Sequence, residues 1–309
     1  MSFDLFADLA KQQACPQGKG GTASDLASGY VDRCTSWFGQ AELDSDEKER
    51  NRKKNDARRS YMERAKGMPN LALPAELDLG RIEASPDSSW IGIEVGFKLE
   101  TPWYSKDDRP FHVLDNPVRK DRVFGVPFMS AASWKGLLRW ACRMHAELLQ
   151  HFQDGKSFDE WEDCPWIVHL FGNEKGEDEH FLHGALAFYP TWFSKIGFEV
   201  INPHSRVRRA GTQPIYYEVV PAGTEGTLRL LYAPLPGSGR QDALPHLIDA
   251  TEQLLTTYGI SAKRTVGWGT ASIQTWTARR KDGQPIQANT AVSFKQQLAG
   301  WLKLQVGNP

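Results

Sequence analysis

In the stretch WIGIEVGFKLE, Ile91, Ile93, Val95, Phe97 and Leu99 alternate with glycine and polar residues. Successive side chains of a strand point to opposite faces, so a period of two puts all five apolar groups on one side and predicts a half-buried strand. Such a strand requires partners in a sheet and a second layer over its apolar face.

The rest of the chain supplies both. Trp134, Leu137, Leu138, Ala141 and Leu148 share one helical face, with Lys135, Arg139 and Arg143 recurring every fourth residue beside them. Residues 185–189, 215–220 and 227–232 read as strands from their β-branched and aromatic content. Leu244, Leu247, Ile248, Thr251, Leu254, Leu255 and Tyr258 mark a second amphipathic helix that Gly259 ends, and a last strand is expected over residues 270–277. Strand, helix, two strands, helix, strand is the order of the ferredoxin-like (RRM-like) βαββαβ unit. The expected fold class is therefore α+β, built on that core with insertions, both helices sharing one face of an antiparallel sheet.

Residues 1–75 read differently. From Asp44 the run DSDEKERNRKKNDARRSYMERAK has almost no apolar stripe, which predicts a charged helical extension, solvated or arm-like, ahead of a folded domain over 76–309. Its Arg50, Arg52, Lys53, Lys54, Arg58 and Arg59 either form a solvated face or touch RNA or a neighbouring subunit. The chain as a whole has 37 Lys+Arg against 38 Asp+Glu, a net charge of -1, so any nucleic-acid binding must come from local patches. No stretch approaches about 20 apolar residues and the N-terminus lacks a basic-then-apolar signal pattern, so the expectation is a cytoplasmic protein with no membrane partner. Cys15, Cys34, Cys142 and Cys164 show no C-x-x-C pairing and read as reduced thiols; His180 and His183, with Cys164 and His169 nearby, fall short of a zinc-ligand pattern.

Two basic, glycine-containing segments stand out. SWKGLLR carries Ser133, Lys135, Gly136 and Arg139 at a helix start, and YGISAKRTVGWG carries Lys263, Arg264, Gly267, Trp268 and Gly269 between the second helix and the last strand. Glycine lets a backbone approach a phosphate while cationic heads neutralise it, so together they make a track for a sugar-phosphate backbone. Phe124, Phe128, Trp134 and Trp268 lie among these cations, either as core or as stacking platforms. Residues 101–129 are too long for a mere connection and hold DNPVRKD, in which Asp115 precedes Arg119, Lys120 and Arg122.

These segments carry a family resemblance. VPFMSAASWKGLLR resembles the IPGSSLKGALR signature of the RAMP proteins, the RNA-binding backbone subunits of type III CRISPR effector complexes, and YGISAKRTVGWG resembles their terminal GIGAKTSRGYG loop. INPHSRVRRAGTQPIYYEVVPAGTEGTLRLLY is similar to a stretch of the sixth, end-capping backbone subunit of the Cmr-type complex. The chain departs from the pattern at Phe128, Met129 and Ala131, and Ser261 replaces a usual glycine. The resemblance implies a crRNA-binding subunit of a type III ribonucleoprotein in antiviral defence, with crRNA, target RNA and other effector subunits as partners. Lys135, Gly136, Lys263, Gly267 and Gly269 fit the family's guide-RNA grip, and the residues themselves extend the expected RNA contacts to Arg119, Lys120, Arg122, Ser133, Arg139, His204, Arg264 and Trp268.

LDNPVRKD is similar to the loop of the catalytic backbone subunits, which implies an endoribonuclease that cuts bound target RNA through Asp115. A divalent ion, Mg2+ or another, would be held by that carboxylate, with His112 as general acid. The residues themselves also allow a turn in which Asp115 accepts backbone hydrogen bonds before Pro117. Two other functions stay open: a stand-alone ferredoxin-like RNA-processing nuclease using His112 or His204, and a non-catalytic adaptor that binds protein alone.

Overall fold

The computed structural model describes residues 15, 29–66, 89–108, 112–122, 124–173, 182–202, 214–235, 238–281 and 283–303. In chain order the elements are α1 (Gly29–Ala41), α2 (Glu47–Lys66), β1 (Ile91–Leu99), β2 (Phe128–Met129), α3 (Ala131–His145), α4 (Leu148–Gln153) and α5 (Pro165–Phe171). There follow β3 (Leu186–Phe188), β4 (Thr191–Trp192), β5 (Gly197–Ile201), β6 (Ile215–Val219), β7 (Glu225–Tyr232), α6 (Ala243–Gln253), β8 (Ala271–Arg279), β9 (Ile286–Ala288) and α7 (Ala291–Lys303). They divide into two compact units, one from within residues 1–77, 102–128 and 192–224, the other from within 78–101, 129–191 and 225–309.

The second unit holds a sheet in the order β3-β7-β1-β8-β9, every neighbouring pair antiparallel. Four of its strands, β1, β3, β7 and β8, are the first, second, third and fourth of the expected unit. The third lies between the first two, the ferredoxin-like arrangement, and β9 extends the edge beside β8. The alternation in β1 is realised as expected, with Ile91, Ile93, Val95, Phe97 and Leu99 all buried alongside Leu228 and Leu230 of β7 and Trp276 and Ala278 of β8.

Helix α3 starts at Ser130, whose hydroxyl accepts the Ser133 N–H at 3.1 Å and so satisfies an amide the helix leaves unpaired. It buries Trp134, Leu138, Ala141 and Cys142, spaced for one face, and Trp134 meets Phe97 edge-on with centroids 6.1 Å apart. The Trp134 indole N–H is not stranded by this burial, because it donates to Thr191 Oγ1 at 2.9 Å. Helix α6 buries Leu244, Leu247, Ile248 and Thr251, passes into a π-helical turn over Leu254–Tyr258, and stops at Gly259 with φ of 77°.

The first unit is assembled from distant stretches. Helices α1 and α2 pack together, and Cys34, Ala57, Tyr61 and Ala65 form one cluster with Val113, Leu114 and Ile196. The charged run is thus a helix with a narrow buried stripe, Ala57, Tyr61 and Ala65, each one turn apart. On its other sides the cations are answered locally: Lys53 by Asp44, Lys54 by Glu42, Arg52 by Glu49 and Arg59 by Asp56. Residues 215–219, grouped by sequence with the main strands, pair instead with β5 as a separate two-stranded ribbon. The long 101–129 stretch is held by backbone exchange, with Trp103 and Val220 bonding each other both ways at 2.9 Å and bridges joining Lys106 to Val118 and Lys120 to Pro127.

Candidate nucleic-acid interface

In the second unit the two glycine-containing segments come together. Gly136 and Trp140 are one helical turn apart on α3. Trp140 meets Tyr258, the last residue before Gly259, edge-on at 4.9 Å, and the Arg264 guanidinium lies 4.4 Å from the centre of the Trp140 ring. A cation over an indole face is attracted by the ring quadrupole, so this stack seats the loop on the helix. Burial against the indole pushes the Arg264 guanidinium below its ordinary value.

The loop's own shape follows from its glycines. Ile260 N–H bonds Gly269 O at 2.9 Å, closing the loop, and a 3-10 turn at Arg264–Val266 ends on Gly267 with φ of 83°. Gly269 has φ of 90°, and a Cβ there would lie 2.3 Å from the Ser261 backbone nitrogen. Ser261, the departure from the family's glycine, is buried and uses its hydroxyl to accept the Lys263 N–H at 3.2 Å. By contrast a Cβ at Gly136 or Gly267 would meet nothing within 4 Å, so these two backbones face open space. Lys135 is exposed beside Gly136, while Lys263 and Trp268 are half-buried.

Not every expected cation joins this track. Arg139 and Arg143 both close on Asp163, at 2.6 Å each, and the Trp161 indole N–H donates to the same carboxylate at 3.0 Å. Burial pushes the Asp163 carboxyl up, but the hydrogen bonds from Arg143, Arg139 and Trp161 outweigh it and hold the group below the usual range. The Arg139 side chain is only 15% exposed, so the expected basic flank reduces to Lys135. Ser133 is half-buried, its hydroxyl 2.9 Å from that of Ser130. His204 and His180 lie outside the described residues. The sheet face away from the helices brings Glu94 beside Arg229 and Thr277, and Gly96 beside Thr227 and Thr275; no ring stands at these positions to stack a base.

The DNPVRKD segment lies in the first unit, and here Lys120 is a correction. Its side chain is 3% exposed and its ammonium lies 2.6 Å from both oxygens of Glu218, itself fully buried; Tyr61 donates to one of those oxygens and the Val118 N–H to the other. A lysine so enclosed does not contact a phosphate. It sits in a run of surface cations, and the carboxylate that claims it is far off in sequence.

Arg119 and Arg122 are directed to Asp108, at 4.0 and 3.0 Å, and the hydrogen bond from Arg122 lowers the Asp108 carboxyl. Asp115 is 78% exposed with Arg58 Nη2 at 3.4 Å. His112 is turned inward, edge-on to Tyr61 at 5.2 Å, with Nδ1 accepting the Leu114 N–H at 3.0 Å, which removes that nitrogen from acid-base work. No cluster of three His, Cys, Asp or Glu side chains suited to a metal occurs among the described residues. One carboxylate beside a guanidinium is a poor donor set for a divalent ion, so the residues around Asp115 do not fit one.

Trp140, Glu218 and Asp163 are not among the residues the sequence singles out, and Tyr258 is there only as part of the second helix. Trp140 was within reach, standing one turn after Gly136; Glu218 gave no local signal.

A family model described as the RAMP superfamily matches residues 96–272, which include both glycine-containing segments and the loop that carries Asp115. Among solved structures, the chain is similar to one from the cryo-EM structure of the type III-B Cmr-beta bound to cognate target RNA. The two are 16% identical with a TM-score of 0.44, and the match covers 62% of this chain and 61% of that one. No curated protein matches the sequence.

Proposed function

The chain belongs to the RAMP superfamily, and on that premise we propose that it is a crRNA-binding backbone subunit of a type III CRISPR ribonucleoprotein, serving antiviral defence beside other effector subunits. The observation that carries this reading is the seating of the glycine-rich loop on α3 by the Arg264–Trp140–Tyr258 stack. It brings exposed Lys135 and the open backbones of Gly136 and Gly267 into one neighbourhood with Lys263. Phosphate contacts of this kind carry no sequence information, as a subunit that must accept any guide requires. Among the described residues no helix is long and apolar enough to cross a membrane.

The test is salt dependence. Each single-strand phosphate neutralised contributes a slope of about -0.7 in log affinity against log salt. Lys135→Ala and Lys263→Ala in the full chain are each expected to weaken guide binding at every sequence and make that slope shallower by about 0.7, and the double variant by about 1.4. A slope unchanged by both substitutions would overturn the assignment.

Cutting of bound target RNA is a second reading, favoured by the exposure of Asp115 with the Arg58 guanidinium beside it. The pair offers a carboxylate to take a proton and a cation to balance a phosphorane. In the assembled complex Asp115→Ala is expected to abolish one target cut and leave guide affinity unchanged. Cleavage at wild-type rate would remove Asp115 from the chemistry.

A further inference from the structure

After α3 the chain forms α4 and then a 3-10 turn over Phe158–Glu160 that leads to α5. This stretch leaves three large apolar side chains exposed, Leu149, Phe152 and Phe158. Local contacts knit them into one surface. The His151 ring meets Phe152 edge-on at 6.0 Å and Trp161 edge-on at 5.3 Å, and its Nε2 lies 2.8 Å from the carbonyl oxygen of Ser157, the residue before Phe158. Glu160 fixes the turn by accepting the Ser157 N–H at 2.7 Å.

Beside this surface, and sharing Phe158 and Trp161 with it, is a cavity of about 490 Å3 also lined by Arg139, Arg143, Asp159 and Glu162. Its charges are not all answered. Arg139 and Arg143 are both committed to Asp163, whereas Asp159 and Glu162 are exposed and have no ion-pair partner among the described residues. Residues 154–163 hold five acids, Asp154, Asp159, Glu160, Glu162 and Asp163, against the single Lys156, so the field around the apolar patch is negative. Carboxylates repel a phosphate backbone and pair with a guanidinium or ammonium, which an indole or phenyl face also attracts. Protein contacts draw most of their energy from arginine and aromatic anchors that fill pockets of this kind, ringed by apolar side chains that exclude water.

We infer that this face docks a basic, amphipathic segment of a neighbouring protein. Its apolar side chains cover Leu149, Phe152 and Phe158, and an arginine or lysine enters the cavity to pair with Asp159 and Glu162. The inference rests on the reading of the chain as a ribonucleoprotein subunit, and it puts protein rather than RNA on the Arg139–Arg143 flank of α3.

The test is site-specific photocrosslinking in the assembled complex. p-Benzoylphenylalanine in place of Phe152 keeps the phenyl ring at an exposed position, and crosslinked peptides are mapped by mass spectrometry. The expected product joins position 152 to a peptide of another protein in which arginine or lysine stands among apolar residues. Asp159→Lys combined with Glu162→Lys is expected to cut its yield at least fivefold. Asp159→Asn with Glu162→Gln keeps the side-chain volumes and should cut it at least twofold, which guards against a reversal that unfolds the chain. The same probe at Ala132, exposed and one turn before Lys135, is expected to capture guide RNA. If it does so while the Phe152 probe captures RNA, a second copy of this chain or nothing, the docking face is overturned and the ribonucleoprotein reading stands. A protein crosslink whose yield neither charge change alters also overturns the face, and a chain that enters no complex with crRNA overturns both.

Discussion

Lys120→Met is expected to destabilise the first unit by about 3–5 kcal/mol, the cost of stripping one partner from a buried ion pair. Glu218 would keep the Tyr61 and Val118 donors yet hold a buried charge with no counter-ion. Adding Glu218→Gln removes that charge and keeps one carbonyl acceptor for the Val118 N–H, while the Tyr61 hydroxyl can turn to accept from the amide NH2, so the double variant should recover more than half of the loss. Because the chain holds two compact units, a single melting curve would mix them; native-state hydrogen exchange over α2 and residues 112–122 isolates the effect. Equal protection in wild type and the single variant would show that the pair contributes nothing.

The same pair sets a pH dependence. Burial pushes the Glu218 carboxyl up, but the Lys120 charge and the hydrogen bonds from Lys120 and Tyr61 outweigh it and hold the group below its ordinary value. A folded-state value below the unfolded one gives stability that is present above the unfolded pKa, about 4.3, and lost as pH falls through the folded one. Protection in this unit should therefore erode in acid, well after exposed carboxylates have titrated.

Gly269→Ala is expected to have the largest effect on RNA binding. The positive φ already costs an L-residue about 1–2 kcal/mol. Beyond that, the new Cβ would meet the Ser261 and Ile260 backbone nitrogens at 2.3 and 2.9 Å, neither of which can swing away as a side chain would. The loop must open, and guide affinity should fall by tenfold or more, about 1.4 kcal/mol. Gly136→Ala supplies the contrast. In a helix interior with open space around it, alanine should stabilise by about 1 kcal/mol. If the guide backbone passes there, the same methyl weakens binding, giving opposite signs in a thermal melt and a filter-binding assay. Equal affinity of both variants to wild type would place the RNA elsewhere.

What could be read in advance follows from how local the signals are. The alternation of β1 and the apolar faces of α3 and α6 are written within single turns or strands, and their order alone specifies the ferredoxin-like sheet. The Ile215–Val219 strand was visible as a strand but not as a member of another unit, because β-branched content says nothing about which edge a strand meets. The stripe of α2 was hidden by its composition: alanine and tyrosine add little hydropathy against thirteen charges, although their spacing of four was there to find. At the candidate interface, glycine and lysine positions were legible as motifs. The diversion of Arg139 to Asp163 and of Lys120 to Glu218 was not, since whether a cation is spent depends on an acid that folding brings from 24 or 98 residues away.

The way the first unit is stitched together also sets a clock for its synthesis. The carboxylate that Tyr61 bonds leaves the ribosome 157 residues after it. At about 5–20 residues per second, that is a wait of about 8–30 s during which the α1–α2 pair has no completed core to join. Over the same interval its cysteine, tyrosine and alanine stripe is exposed to solvent, to chaperones and to other nascent copies. The mixed charge that obscured this helix in the sequence is then what keeps it soluble until its partners arrive.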